Sequence, residues 1–81
     1  MEIKKMEAAV EAILFTMGDS VELGTIAKAL QLDNDTTKRM MANMMDKYQD
    51  EGRGLQIIEL EDSYQMCTKK EYYEYLIRIA M

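Results

Sequence analysis

The 81-residue chain has room for one small domain, near the lower limit at which a single core holds without disulfides or metal. Its 48% apolar and 31% charged residues are those of a globular rather than a disordered protein, no apolar run approaches the ~20 residues of a membrane span, and the single cysteine closes no internal disulfide. The absence of histidine excludes the usual zinc sites and most general-base catalysis, and a net charge of −5 opposes binding to a polyanion unless the cations are gathered locally.

Helical spacing predicts a first helix from Glu2 to Met17, stopped by Gly18 at its C′ position. Ile3, Met6, Val10, Ile13, Leu14 and Met17 share one stripe and are the expected core face. Roughly opposite, Ala8, Ala12 and Phe15 form a second small strip at i, i+4 and i+7. Two roles are open to that strip. Phe15 tucks under the following loop and the alanines merely favour helix, or the three make a close-approach surface for another subunit.

A turn at Gly18-Asp19-Ser20 leads to a short second helix over Leu23 to Leu30, with Leu23, Ile26, Ala27 and Leu30 facing inward. Gln31-Leu32 connect to a third helix, Asn34 to Asp50, capped by Asp33. Thr37, Met41, Met44 and Tyr48 make its inner face. At about 100° per residue, the pairs Met40-Met41 and Met44-Met45 span about 140°, wider than a core stripe. Met40 and Met45 on the flanks are candidates for an adaptable secondary surface, since methionine both packs and adapts.

Gly52-Arg53-Gly54 fits no phosphate-binding loop and reads as a left-handed turn into a strand. Two alternating segments follow, Leu55–Leu60 and Tyr64–Thr68, around the polar turn Glu61-Asp62-Ser63, which predicts a β-hairpin. Glu59, Glu61 and Asp62 are its solvated end, and Cys67 is expected as a small buried hydrophobe. Thr68-Lys69-Lys70-Glu71 fits a capping box and predicts a fourth helix from Lys69 to the end of the sequence. The apolar residues of that helix, Tyr72, Tyr73, Tyr75, Leu76, Ile77, Ile79 and Ala80, cover roughly 200°, about twice what a monomer's surface helix needs. The expectation is a piece of a longer protein: residues 1–68 form one domain, and residues 69–81 a helix that meets a second domain, a second copy or a partner chain.

The order helix-helix-helix-strand-strand-helix is that of a winged helix-turn-helix, mainly α with a small β-hairpin. Such folds either grip DNA or pair with proteins. The end of the third helix that would meet base edges carries Asp33, Asn34 and Asp35, and four aspartates between residues 33 and 50 stand against Lys38, Arg39 and Lys47. Carboxylates at groove entry meet phosphate repulsion, whereas at a helix N-terminus they complement the macrodipole. Direct DNA binding through this helix is therefore disfavoured. No cysteine or carboxylate cluster has metal-ligand spacing, and Asp33 and Asp35 lack the glycine and glutamate of a calcium loop. The reading assigns no catalytic residue, no cofactor and no metal.

Glu11-Ala12-Ile13-Leu14-Phe15 with Gly18-Asp19, then Ile26-Ala27-Lys28-Ala29-Leu30, Tyr48, Gly52-Arg53-Gly54-Leu55, Tyr64-Gln65-Met66, Thr68-Lys69 and Tyr72 form an ordered set along nearly the whole chain. In that order and spacing the chain resembles the N-terminal winged-helix domain of the segregation and condensation protein B family. These are accessory subunits of bacterial SMC–kleisin chromosome-condensing complexes. It departs from the family pattern at Ser20, where proline is frequent, and at Glu22, where a serine or threonine cap is usual. The resemblance implies a non-catalytic adaptor in the bacterial cytoplasm, associated with the nucleoid, with a second winged-helix domain to follow. It further implies a homodimer that engages the kleisin, segregation and condensation protein A, and through it the SMC ATPase.

Combined with the residue reading, the candidate interface is Ala8, Ala12, Phe15, Tyr73 and Ile77. The alternative is a winged-helix DNA-binding regulator whose basic surface lies around Lys4, Lys5, Lys69 and Lys70.

Overall fold

A computed structural model of the chain describes residues 2–80. Its elements run α1 (Ile3–Met17), β1 (Val21–Glu22), α2 (Leu23–Leu30), α3 (Asn34–Lys47), β2 (Leu55–Leu60), β3 (Ser63–Thr68), a 3-10 turn (Lys70–Tyr72) and α4 (Tyr73–Ala80). Gly18 closes α1 in the left-handed conformation expected of it (φ 68), its N–H donating to the Leu14 carbonyl. Asp33 caps α3 as its sequence position predicts, accepting from the Thr36 N–H at 3.0 Å and the Thr36 hydroxyl at 2.7 Å. The helix stops at Lys47, three residues earlier than its periodicity implies. Beyond it the Asp50 carboxylate accepts from the Gly52 N–H at 3.0 Å, which bends the chain toward β2. Neither Gly52 nor Gly54 takes a positive φ; the left-handed residues besides Gly18 are Gln31 (φ 58) and Glu61 (φ 59).

The sheet has three antiparallel strands in the order β1-β3-β2. The hairpin register sets Leu55 opposite Thr68 and Leu60 opposite Ser63, so the turn is the two residues Glu61-Asp62. The third strand was not expected. Val21 and Glu22 pair with Tyr64 and Ser63, and the Leu23 N–H donates to the Asp62 carbonyl at 2.7 Å. A two-residue strand carries no alternation to detect and exists only because the hairpin presents an edge. This strand fills the turn between the first two helices, and with β2 and β3 as the wing the chain is a winged helix.

The core gathers Val10 and Leu14 of α1, Val21, Ile26 and Leu30, Met40, Met41, Met44 and Tyr48, then Ile57 and Tyr64. Burial on α1 is confined to its middle. Ile3 and Met17, expected on the core stripe, lie near the helix ends and are exposed, while Ala9, not singled out, packs against the core. Cys67 is half-buried rather than buried.

The segment after β3 departs most from expectation. Thr68 remains in the ladder opposite Leu55 and caps nothing, so the capping box does not form. A 3-10 turn begins after Lys69, and the α-helix proper starts only at Tyr73. Met81, where the sequence reading ends its helix, lies outside the described residues. No residue of α4 is buried, and its packing is chiefly against the 3-10 turn that precedes it. The radius of gyration is 13.5 Å, against about 12 Å for a compact chain of this length.

Candidate protein interface

Two helical faces carry apolar side chains that the body does not cover. On α1, Ala8 and Ala12 are exposed and Phe15 is 75% exposed, so no loop folds over the ring. Ala12 also borders a shallow, almost wholly apolar hollow completed by Ile13, Thr16 and Met17. Met17 thus joins this surface, although helical angle alone assigns it inward. The signal was its place in the last turn, directly before Gly18, where the helix outruns its neighbours. Burying a side chain of the size of Phe15 against a partner is worth about 1.5–3 kcal/mol, which gives such a surface a driving force.

The second face is α4. Tyr73 is 47% and Ile77 56% exposed, and Tyr75, Leu76 and Ile79 are exposed beside them. Two exposed contacts brace the helix along its length: Arg78 pairs with Glu74 at 3.2 Å and lies 5.3 Å from the Tyr75 ring centroid. An apolar set of this size left in water is unusual for the surface of a monomer. Helices α1 and α4 share no substantial packing, so the five candidate residues form two patches and not one.

Met40, a candidate for a secondary partner surface, is only 4% exposed and belongs to the core; the arc it extends is taken up by neighbouring elements. Met45 is half-buried against the same core. Neither offers a free apolar flank. The N-terminus of α3 presents Asp33, Asn34 and Asp35 to solvent. The Thr36 hydroxyl and N–H hold the Asp33 carboxyl below its ordinary range. The basic surface of the DNA-binding alternative loses Lys69, which is buried; Lys4, Lys5 and Lys70 are exposed.

Between α1 and α3 lies a mixed groove bordered by Lys4, Glu7, Glu11, Lys47, Tyr48 and Arg53, and the candidate residue Ala8 lies on its edge. The Lys47 Nζ meets Glu7 at 2.8 Å, the Tyr48 hydroxyl donates to the Glu11 carboxylate, and the Arg53 guanidinium lies 4.7 Å from the Tyr48 ring centroid. Burial, with Glu11 as hydrogen-bond acceptor and nearby negative charge, pushes the Tyr48 phenol up to about 12. The Tyr64 phenol is raised too, first by burial and then by Glu59, whose carboxylate accepts its hydrogen bond at 3.3 Å. One ion pair, Lys47–Glu7, and the Tyr48–Glu11 hydrogen bond cross the groove and fasten α1 to α3. No helix is long and apolar enough to cross a membrane, among the described residues.

Comparison with known proteins bears on what such surfaces do. The family model for Segregation and condensation complex subunit ScpB matches residues 8–81. Segregation and condensation protein B of Lachnoclostridium phytofermentans is 56% identical over 80 residues, a match covering 99% of this chain and 42% of that protein. Its counterpart in Agathobacter rectalis is 56% identical over 75 residues, covering 91% and 40%. The chain thus spans less than half the length of these curated relatives. Among solved structures, a dimer of the ScpB N-terminal domain complexed with a ScpA peptide superposes with a TM-score of 0.90 at 33% identity, over 95% of this chain and 96% of that one. ScpB from Mycobacterium tuberculosis also gives 0.90, over 99% of this chain and 50% of that one; at 15% identity the likeness is one of fold.

Proposed function

The chain belongs to the family of Segregation and condensation complex subunit ScpB, and from that premise we propose that it is a dimerising adaptor domain of an SMC–kleisin complex. Two copies pair, and the pair engages a segment of the kleisin ScpA and through it the SMC ATPase. The observation that carries this reading is the near-complete, 33%-identical likeness to an ScpB N-terminal domain that was crystallised as a dimer with a ScpA peptide. The exposed apolar faces of α1 and α4 support it, because association is the ordinary way to remove such surface from water. Ala8, Ala12, Phe15, Tyr73 and Ile77 are the residues assigned to pairing. The domain works without catalysis or cofactor, in the bacterial cytoplasm beside the nucleoid. Residues 1–68 are the winged-helix body, and the helical segment beyond leads to a second winged-helix domain.

Sedimentation equilibrium across a range of concentrations, followed by calorimetric titration with a ScpA peptide, tests the reading. A reversible dimer that binds the peptide supports it. A strict monomer overturns the pairing, and a silent titration overturns the kleisin contact. Salt-sensitive binding to duplex DNA by a chain that does neither favours a nucleic-acid-binding regulator instead.

A further inference from the structure

Lys69 is the one charged side chain in the interior among the described residues, 7% exposed, and it enters neither of their two ion pairs. Its stem is covered by the body beside an open hollow that Glu51 and Glu71 also line, and a specific bond holds the ammonium there. The Lys69 Nζ donates to the Asp50 carbonyl oxygen at 2.6 Å, and its backbone N–H donates to the Gly54 carbonyl at 2.9 Å. Three residues on, the Tyr72 hydroxyl donates to the Glu51 carbonyl at 3.0 Å. All three bonds end on main-chain oxygens of the connector between α3 and β2, and all three start from the segment that launches α4.

The connector is itself braced. The Asp50 carbonyl that accepts from Lys69 also accepts from the Arg53 N–H at 3.1 Å, using both of its lone pairs. The Asp50 carboxylate holds the Gly52 N–H, and Arg53 lies over the Tyr48 ring at the end of α3.

We propose that Lys69 and Tyr72 form a clamp that sets the direction in which α4 leaves the body. Helix α4 buries no residue of its own, so its packing does not fix that direction. A helix held at a set angle meets any partner with less loss of freedom than one that swings. Lys69 is a positioning residue here: it contributes no exposed surface to an interface and acts through the helix it aims. The clamp concerns one chain and stands whether or not two copies pair through α4.

The test uses the whole chain carrying Cys67→Ser, spin-labelled at Lys38→Cys on α3 and Ile79→Cys on α4. An excess of unlabelled chain ensures that only distances within a chain are read. The parent gives one narrow distance distribution. Lys69→Met keeps the aliphatic stem and removes the donor, and Tyr72→Phe keeps the ring and removes the hydroxyl. Each should broaden the distribution roughly twofold while hydrogen-exchange protection of the Leu14 and Met41 amides, both inside helices of the core, is retained. Should Lys69→Met fail to fold, Tyr72→Phe decides the matter, its ring being only half-buried. An unchanged width in Tyr72→Phe and in any folded Lys69 variant overturns the clamp. Sedimentation has no bearing on this outcome, so failure of the clamp and failure of the pairing are read separately.

Discussion

Tyr48, the residue that ends α3, donates the hydrogen bond of its phenol to the Glu11 carboxylate in the middle of α1. The two residues are far apart in sequence, and their bond ties the helix that would read DNA in other winged helices to the helix that bears the Phe15 strip. Buried ring and charged acceptor together favour the neutral phenol.

That preference has a pH signature. The phenol ionises near 10 in the unfolded chain and at about 12 in the native one. Between those values the unfolded state gives up a proton that the native state keeps, so the pair's contribution is complete below pH 10 and is lost as pH rises toward about 12. Tyr48→Phe should lower stability by about 1 kcal/mol at neutral pH. The gap between parent and variant should narrow through the alkaline range, measured by urea unfolding at a series of pH values.

The methionines of α3 should behave as core. Met41→Ala and Met40→Ala are each expected to cost about 2–4 kcal/mol, because both side chains are enclosed and the vacated volume is filled only in part. Met45→Ala, at a half-buried position, should cost less than either. Denaturant midpoints of the three variants check the order. Equal small losses would mean that α3 sits on a surface and not in a core.

Exposed apolar side chains give the opposite pattern. Compared at concentrations low enough that the parent is monomeric, Phe15→Asp and Ile77→Asp should leave thermal unfolding within about 0.5 kcal/mol of it, as surface changes usually do. Both should shift sedimentation equilibrium toward monomer. A variant that unfolds would place its residue in packing, while a variant that still pairs would place the interface elsewhere.

Gln31 ends α2 with φ 58 and an N–H donating toward Ala27 and Lys28, a conformation that glycine adopts without strain. Gln31→Gly should therefore stabilise the chain by about 0.5 kcal/mol, relief of strain outweighing the added freedom of the unfolded state. Glu61→Gly, in the hairpin turn at φ 59, should act in the same direction. Calorimetric melting temperatures of the two single variants and the double one test both the sign and the additivity expected of distant sites.

What could be read from the residues was local. Apolar spacing located the first three helices, Gly18 caps through its lack of a side chain and Asp33 through its carboxylate, and alternation placed β2 and β3. The ordered family pattern was equally legible, since it is a property of the string. Each departure came from a contact between distant residues. Val21 and Glu22 become a strand only because Tyr64 and Ser63 present an edge. Thr68 is withheld from the predicted cap by its ladder position opposite Leu55, and the Asp50 carbonyl draws the Lys69 ammonium inward. Helical angle ranked Ile3 and Met17 with Val10 and Leu14, but angle cannot say how far along a helix its neighbours reach. Met40 was placed on a flank and proved to be enclosed, because neighbouring elements cover a wider arc of α3 than a single core stripe. The sequence alone thus determined which segments form helices and strands and the family to which the chain belongs, because propensity and pattern act over a few residues. Only tertiary structure decided which apolar faces are covered, that Phe15 and the face of α4 remain in water, and where α4 points, because those depend on elements that meet only when the chain has folded.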